Sequence, residues 1–220
     1  MTRSITFLHT APAHIATFER LLAELAPGVP ARHLVDEQLL ADARAAGITA
    51  ELAGRVAGTI DAARASGAAL LVCTCSTIGG CAERAGRDLA VLRIDRPMAE
   101  RAVTLGRRIV LAAALASTLA PTRALLQDAA AQAGREIELI ELLCAEAWPH
   151  FERGDLPTYH AAIARQLRGA PPADAIVLAQ ASMAGAAELC ADLPAPILSS
   201  PRLGLEAALA LYRAQEQRII

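Results

Sequence analysis

Short apolar runs alternate along the chain with longer stretches in which apolar residues recur at helical spacing. The runs predict strands at residues 5–8, 32–35, 68–73, 89–94, 108–113, 137–142, 175–179 and 197–198. The stretches predict helices at 15–25, 51–65, 77–87, 121–133, 158–167 and 203–217, with a further helix opened by Pro97. Continuous apolar strands such as 68–73 are typical of parallel sheets that are buried on both faces. The alternation therefore predicts an α/β fold with parallel sheets covered by helices.

The same order of elements is used twice, which predicts two similar halves. Residues 69–72 and 175–178 are matching buried strands, and each is followed by a polar loop and a helix of small residues. We expect two α/β halves related by a pseudo-two-fold axis, formed by residues 1–96 plus 201–220 and by residues 97–200. Ligands of open α/β sheets bind beyond the carboxyl ends of the strands, so we expect a ligand cleft between the halves.

Composition narrows the classes of protein to consider. The 220 residues are 54% hydrophobic and carry a net charge of −2 without a long basic run, which argues against disorder and nucleic-acid binding. Lysine is absent, which excludes an internal lysine Schiff base and the usual phosphate-binding loop. The longest apolar run is eight residues, 109–116, whereas a membrane helix needs about 20. With no leader pattern and an odd number of cysteines, five, the chain is expected to be cytoplasmic with its cysteines as thiols.

The segment most informative about chemistry follows the predicted strand 68–73. Cys75 is expected at a strand-to-helix turn, where the helix dipole and backbone N–H groups favour an anion. Such surroundings lower the pKa of a thiol and make thiolate available as a base or nucleophile. Ser76, Thr77 and the backbone N–H groups are placed to bind a substrate carboxylate. The alternative is that Cys75 is a small packing residue.

These residues, together with three other segments, resemble the Asp/Glu/hydantoin racemase superfamily. Cys75-Ser76-Thr77 is similar to its first cysteine motif. Residues 115–122 are similar to the loop that opens its second half, 176–184 to its second cysteine motif, and 199–204 to the segment that leads into its last helix. The resemblance covers nearly the whole chain. It implies an isomerase or racemase that acts without cofactor or metal at the α-carbon of a small carboxylate, amino acid or hydantoin, through two thiols.

The chain departs from this pattern at the second thiol, because Gln180 stands where the second cysteine is expected. Glutamine is no base, but its amide can donate a hydrogen bond to an oxyanion. Two alternatives therefore remain: a decarboxylase or cis-trans isomerase that uses one thiol, and a carboxylate-binding protein without catalysis. Cys144 and Cys190 replace the second base only if loops bring them to the site.

The remaining candidate residues follow other predicted strands. His9 and Thr10 follow the first strand, where the resemblance places a substrate loop; the imidazole is a carboxylate ligand, a partner of Cys75 or a structural residue of the turn. Ser117, Thr118, Gln180 and Ser182 complete the set expected to bind substrate. His150 and His160 are expected at the surface. No metal site is predicted, since Cys-x-Cys-x5-Cys is not a usual zinc pattern. The resemblance also implies a possible homodimer.

Overall fold

A computed structural model describes residues 3–217, in which ten α-helices and eight strands alternate. In chain order the elements are β1 Ser4–His9, α1 Ala13–Leu25, β2 Ala31–Val35, α2 Glu37–Ala46, α3 Ala50–Ala65, β3 Ala68–Cys73, α4 Ser76–Ala85, β4 Ala90–Arg93, α5 Arg96–Leu105, β5 Arg108–Ala113, α6 Ala116–Gln132, β6 Glu138–Leu143, α7 Trp148–Glu152, α8 Leu156–Arg168, β7 Ala175–Leu178, α9 Gly185–Glu188, β8 Ile197–Ser199 and α10 Ser200–Gln217. None of the described helices combines the length and hydropathy needed to cross a bilayer.

The chain divides into two compact units that have the same sheet topology. Unit 1 comprises Met1–Ile94 with Pro201–Ile220, and unit 2 comprises Asp95–Ser200. The sheet of unit 1 has the order β2-β1-β3-β4 and that of unit 2 the order β6-β5-β7-β8. All strand pairs in both sheets are parallel. The predicted α/β fold with two similar parallel-sheet halves is therefore confirmed.

Both faces of the unit 1 sheet are buried, which explains the unbroken apolar sequence of β3. Alternate residues of a strand point to opposite faces. Leu70 and Val72 pack in one apolar cluster with residues of α1 and α10. Leu71 and Cys73 pack in a second cluster with residues of α2, α3 and α4. A strand that meets helices on both sides has no position left for a polar side chain.

Unit 2 places its core on the same kind of central strands. Val110 of β5 and Ile176 of β7 pack against α8, where Tyr159 and Ile163 are fully buried. The apolar positions of α8 recur at spacings of three and four residues, so one face of the helix is buried on the sheet.

The predicted strands all form, each within one residue of its expected ends, but four helical segments differ from expectation, one of them the short helix α7, which was not predicted. The α2 helix was not predicted, although the Asp36 carboxylate caps it by accepting from the Leu39 N–H at 3.2 Å. The α6 helix begins at Ala116 rather than near Pro121, which lies inside the helix. The helix of small residues expected after the strand at 175–179, over residues 182–189, is split into a 3-10 turn at Ala181–Met183 and the single turn α9.

Candidate active site

Cys75 lies in the turn that joins β3 to α4. Its backbone is extended, with φ −101° and ψ 115°, and it immediately precedes the first helical residue, Ser76. The residue is 8% exposed. The helix that begins here is ten residues long, so its dipole and its first N–H groups favour negative charge at this position. The expected placement of Cys75 at a helix N-terminus is therefore found.

The residue before Cys75 is tied to the end of β1. The Thr74 N–H donates to the Leu8 carbonyl at 3.0 Å, and the Thr74 hydroxyl donates to the same oxygen at 3.1 Å. His9 Nδ1 lies 2.8 Å from the Thr74 hydroxyl oxygen. These contacts fix the backbone from which the Cys75 thiol projects.

His9 belongs to a group of three histidines on β1, α1 and β2. It is fully buried, and its Nε2 lies 2.8 Å from Nδ1 of His33. The two rings lie edge to edge and nearly coplanar, with an interplanar angle of 9° and centroids 5.1 Å apart, and the centroid of the His14 ring lies 6.2 Å from that of His9. Burial, then the nearby charges of His14 and His33, lower the pKa of His9 to about 3. Burial lowers the pKa of His14 to about 4. His9 is therefore neutral at ordinary pH, and both ring nitrogens contact protein.

Three predicted hydroxyls accompany Cys75 in unit 1. Ser76 and Thr77 form the first turn of α4 and are 5% and 7% exposed, and Thr10 follows β1 and is 5% exposed. Because β1 and β3 are neighbouring parallel strands, their carboxyl ends meet at one edge of the sheet. All five predicted residues of unit 1 therefore lie at that edge: His9, Thr10, Cys75, Ser76 and Thr77.

The glycine pair in α4 makes room for a buried arginine that the sequence analysis did not single out. Arg93 of β4 is 4% exposed. A Cβ at Gly79 would lie 3.2 Å from both Cβ and Nε of Arg93, and a Cβ at Gly80 would lie 3.3 Å from its Nη1. Arg93 Nη2 lies 3.5 Å from the Ser76 carbonyl oxygen. The pair is thus a packing device of the helix that carries Cys75.

Gln180 occupies in unit 2 the position that Cys75 occupies in unit 1. In unit 1, Leu8 pairs with Cys73, and the next N–H, that of Thr74, donates to the Leu8 carbonyl. In unit 2, Ala112 pairs with Leu178, and the next N–H, that of Ala179, donates to the Ala112 carbonyl at 2.9 Å. The residue that follows is Cys75 in one unit and Gln180 in the other.

The amide of Gln180 has a fixed orientation. Its Oε1 accepts a hydrogen bond from the Ala114 N–H at 2.7 Å. An N–H donor requires the oxygen there, so the amide NH2 must point the other way. That Nε2 atom is buried and has no hydrogen-bond partner among residues 3–217, and the same is true of the Ser117 hydroxyl oxygen. Unpaired buried donors cost free energy, and a bound oxyanion would satisfy them.

The other predicted residues of unit 2 have different surroundings. Ser117 and Thr118 lie in the first turn of α6 rather than in a loop, and Thr118 is 1% exposed. The Ser182 hydroxyl lies 2.9 Å from the Tyr159 hydroxyl, and the Ser182 carbonyl accepts from His160 Nε2 at 2.9 Å. His160, expected at the surface, is half-buried, and its contact with the Ser182 carbonyl holds the turn after β7.

Three of the other thiols, those of Cys81, Cys144 and Cys190, lie in buried surroundings that disfavour thiolate. Burial raises the pKa of Cys144 to about 11. It also raises the pKa of Cys81 and of Cys190. Cys190 Sγ lies 3.7 Å from the Ala164 carbonyl oxygen. Neither cysteine of unit 2 has the surroundings of an activated base. Within the described range, no three His, Cys, Asp or Glu side chains are arranged to hold a metal ion.

Comparison with known proteins identifies the fold. No protein-family model matches the chain, and no curated protein matches it in sequence. Among solved structures, it is similar to the Picrophilus torridus aspartate racemase, with a TM-score of 0.72 and 14% identity over 98% of this chain and 95% of that one. It is similar to glutamate racemase from Thermus thermophilus, with a TM-score of 0.70 and 20% identity over 96% and 81%.

A third neighbour is a liganded double mutant of arylmalonate decarboxylase, in which a glycine is replaced by cysteine and a cysteine by serine. Its TM-score is 0.59, with 19% identity over 96% of this chain and 93% of that one. These neighbours belong to the Asp/Glu/hydantoin racemase superfamily. The chain has the fold of that superfamily, as the sequence motifs indicated.

Sequence reasoning missed several residues that shape the two turns, namely His33, Thr74, Arg93 and Tyr159, and it treated His160 only as a surface residue. His33 stands on a short edge strand, where alternation gave no reason to single it out. Thr74 directly precedes the cysteine motif, and a threonine directly after a buried strand is a signal for a tied turn. Arg93 could not be linked to Gly79 and Gly80 from the sequence, because it lies on the next strand.

Proposed function

We propose that the chain is an enzyme of the racemase and decarboxylase type that acts at the α-carbon of a small carboxylate, amino acid or hydantoin-type compound. It needs no cofactor, and Cys75 is its one proton-transferring thiol. The observation that carries the proposal is the structural equivalence of Cys75 and Gln180. The fold supports the general class, and the residue at each of these positions supports the choice of reaction.

Two-thiol racemisation is poorly supported by this pair of residues. A racemase that moves protons with thiols needs one on each face of the substrate carbon. Gln180 has no proton to exchange at ordinary pH, and burial raises the pKa values of Cys144 and Cys190. One thiol serves one face.

The amide of Gln180 supports a different role. Its Nε2 is a donor by geometry, because Oε1 is held by the Ala114 N–H. A donor fixed before the reaction stabilises negative charge that develops on a substrate oxygen, and removal of one such donor typically costs about 100- to 1,000-fold in rate. The Ser117 hydroxyl and the first turn of α6 supply further donors for a carboxylate.

Decarboxylation is the reaction that these groups support best. The bond between the α-carbon and a carboxylate breaks, CO2 leaves, and the electron pair remains on the α-carbon as an enolate. The Cys75 thiol gives its proton to that carbon, and the resulting thiolate takes a proton from water. The product then carries the new hydrogen on one face only. Covalent addition of the Cys75 thiolate to a double bond, with rotation and release, is the cis-trans alternative.

The test is a substrate screen in D2O followed by proton NMR. We expect turnover of a 2-substituted malonate with one deuterium at the α-carbon and an optically active product. Cys75→Ala should lose at least 1,000-fold in kcat, whereas Cys81→Ala, in the same helix, should keep it within about threefold. Exchange of both enantiomers of an amino acid or hydantoin would favour racemisation. Binding that raises the melting temperature, without turnover of any compound, would favour the non-catalytic protein.

A further inference from the structure

The three-residue chain His33, His9 and Thr74 has a single direction of hydrogen bonding. Thr74 Oγ1 lies 3.1 Å from the Leu8 carbonyl oxygen, and a carbonyl only accepts, so the threonine proton is used there. His9 Nδ1 must then donate to Thr74 Oγ1 at 2.8 Å. A neutral imidazole with its proton on Nδ1 has Nε2 as an acceptor, and therefore His33 Nδ1 donates to His9 Nε2 at 2.8 Å.

This direction fixes the chemical form of His9. A second proton would have to sit on Nε2, where the His33 N–H already points. The titratable groups packed around His9 are His14 on α1 and His33 on β2, while Glu19 on α1 acts electrostatically on His33. From the β3 side it meets Thr74, which does not titrate. The ring has no nitrogen left for a substrate.

The hydrogen-bonded series His33–His9–Thr74 ends one residue before Cys75. It therefore bears on the position of the Cys75 thiol. Thr74 is held by three hydrogen bonds to residues 8 and 9, two of them through its side chain. On the other side of Cys75 the backbone enters α4. Cys75 is thus fixed between an anchored threonine and a helix N-terminus.

We propose that His9, neutral and protonated on Nδ1, is a positioning residue that holds Thr74 and thereby fixes the Cys75 thiol at the start of α4. The inference rests on the proposed function only in taking Cys75 as the reacting thiol. It reassigns His9 from substrate ligand to support of the turn, and it gives His33 the role of fixing the His9 tautomer.

The test compares two variants by the rate at which iodoacetamide alkylates Cys75, measured by mass spectrometry from pH 5 to 9. His9→Asn keeps an N–H donor near the Nδ1 position, whereas His9→Phe keeps an aromatic ring beside Phe7 and Phe18 and removes the donor. We expect His9→Phe to change the rate at pH 7 at least fivefold and to move the midpoint of the pH profile. His9→Asn should stay within twofold. Cys81 serves as the internal control and should react equally in all three proteins.

Equal profiles for the two variants, whether changed or unchanged, would overturn the proposal. If His9→Phe fails to fold, His33→Phe and His33→Asn repeat the comparison at a half-buried edge-strand position. Nitrogen-15 NMR of the wild-type protein tests the tautomer independently, and a His9 proton on Nε2 at pH 7 would contradict it. The alkylation rate is measured without turnover, so it tests the positioning role of His9 separately from the proposed function. If the Asn and Phe variants do not differ, the positioning role is overturned. If Cys75→Ala remains active, only the proposed function is overturned.

Discussion

The turn after β3 in unit 1 and the turn after β7 in unit 2 follow equivalent strands and have different chemistry. Each begins with an N–H that donates to the neighbouring strand, to Leu8 in one case and Ala112 in the other. The next residue is Cys75, a thiol, in unit 1 and Gln180 in unit 2, whose side-chain amide is held by the Ala114 N–H. The comparison teaches that a repeated scaffold keeps its backbone hydrogen bonds while the side chain at one position changes from a thiol to an amide.

The two turns are also held by different supports. In unit 1, His33 contacts His9, and His9 contacts the hydroxyl of Thr74 in the turn. In unit 2, Tyr159 and His160 of α8 hold the side chain and the carbonyl of Ser182. The support in unit 1 includes histidines, and burial lowers the pKa values of His9 and His14. We therefore expect low pH to destabilise the support in unit 1 more than that in unit 2.

After Cys75→Ala, the largest effect expected on the comparison comes from Gln180→Glu. The carboxylate still accepts from the Ala114 N–H, but it replaces the amide donor with an acceptor that carries negative charge. We expect kcat to fall about 100- to 1,000-fold, measured on the substrate found by the screen. Gln127→Glu, an exposed position on α6, adds the same charge and should change kcat less than twofold. Wild-type kcat in Gln180→Glu would remove the donor role from the account.

Acid should weaken unit 1 through its histidines. The folded-state pKa values of His9 and His14 are about 3 and about 4, below the unfolded value near 6.5. The unfolded chain therefore binds more protons between these limits, so the contribution of these two histidines to stability is fully present above pH 6.5 and is lost as pH falls toward 4 and then 3. We expect the melting temperature to fall over this range. The fall should be shallower in His9→Asn, which no longer titrates there, and an equal slope would count against the buried neutral histidine.

Alanine substitutions at Gly185 and Gly79, which follow the two turns, should differ in how strongly they destabilise the protein. A Cβ at Gly185 would lie 2.5 Å from Cε1 of His160, whereas the closest atoms to a Cβ at Gly79 are 3.2 Å away, on Arg93. Overpacking of this kind typically costs about 1–3 kcal/mol. Urea denaturation should show the larger loss for Gly185→Ala. Gly58→Ala, with open space around its Cβ, is the control and should be neutral or stabilising.

Tyr159→Phe should give the smallest effect. It removes one hydrogen bond to the Ser182 hydroxyl and leaves the His160 contact in place. A loss of about 0.5–1.5 kcal/mol in the free energy of unfolding is expected, with kcat changed less than threefold. A fall in kcat as large as that of Gln180→Glu would make Ser182 a residue of the reaction rather than of the turn.

Strands and their faces were predictable because each central strand is an unbroken apolar run between polar turns. Helix starts were less so. Pro121 suggested a first turn, yet α6 begins five residues earlier at Ala116, because the chain turns directly after β5. The α2 helix was missed although Asp36 caps it and Leu39 and Ala43 share its buried face.

The candidate site was predictable only where the signal was local. Cys75, Ser76 and Thr77 lie in one motif, and Gln180 was identified because it interrupts another. The supports of both turns depend on pairings between distant residues, such as His9 with His33 and Tyr159 with Ser182. Only the register of parallel strands and the packing of α8 bring these partners together, and a linear pattern does not carry that information.

The central claim, that Cys75 is the one activated thiol, is tested most directly by alkylating the native protein with iodoacetamide from pH 5 to 9 and following each cysteine by mass spectrometry. The account predicts that Cys75 alone reacts fast, with an apparent pKa well below the ordinary value of about 8.5. The others should be slow: Cys73, Cys81, Cys144 and Cys190. Equally fast reaction of Cys144 or Cys190 would supply a second base and contradict the one-thiol mechanism, and an inert Cys75 would contradict the claim of an activated thiol.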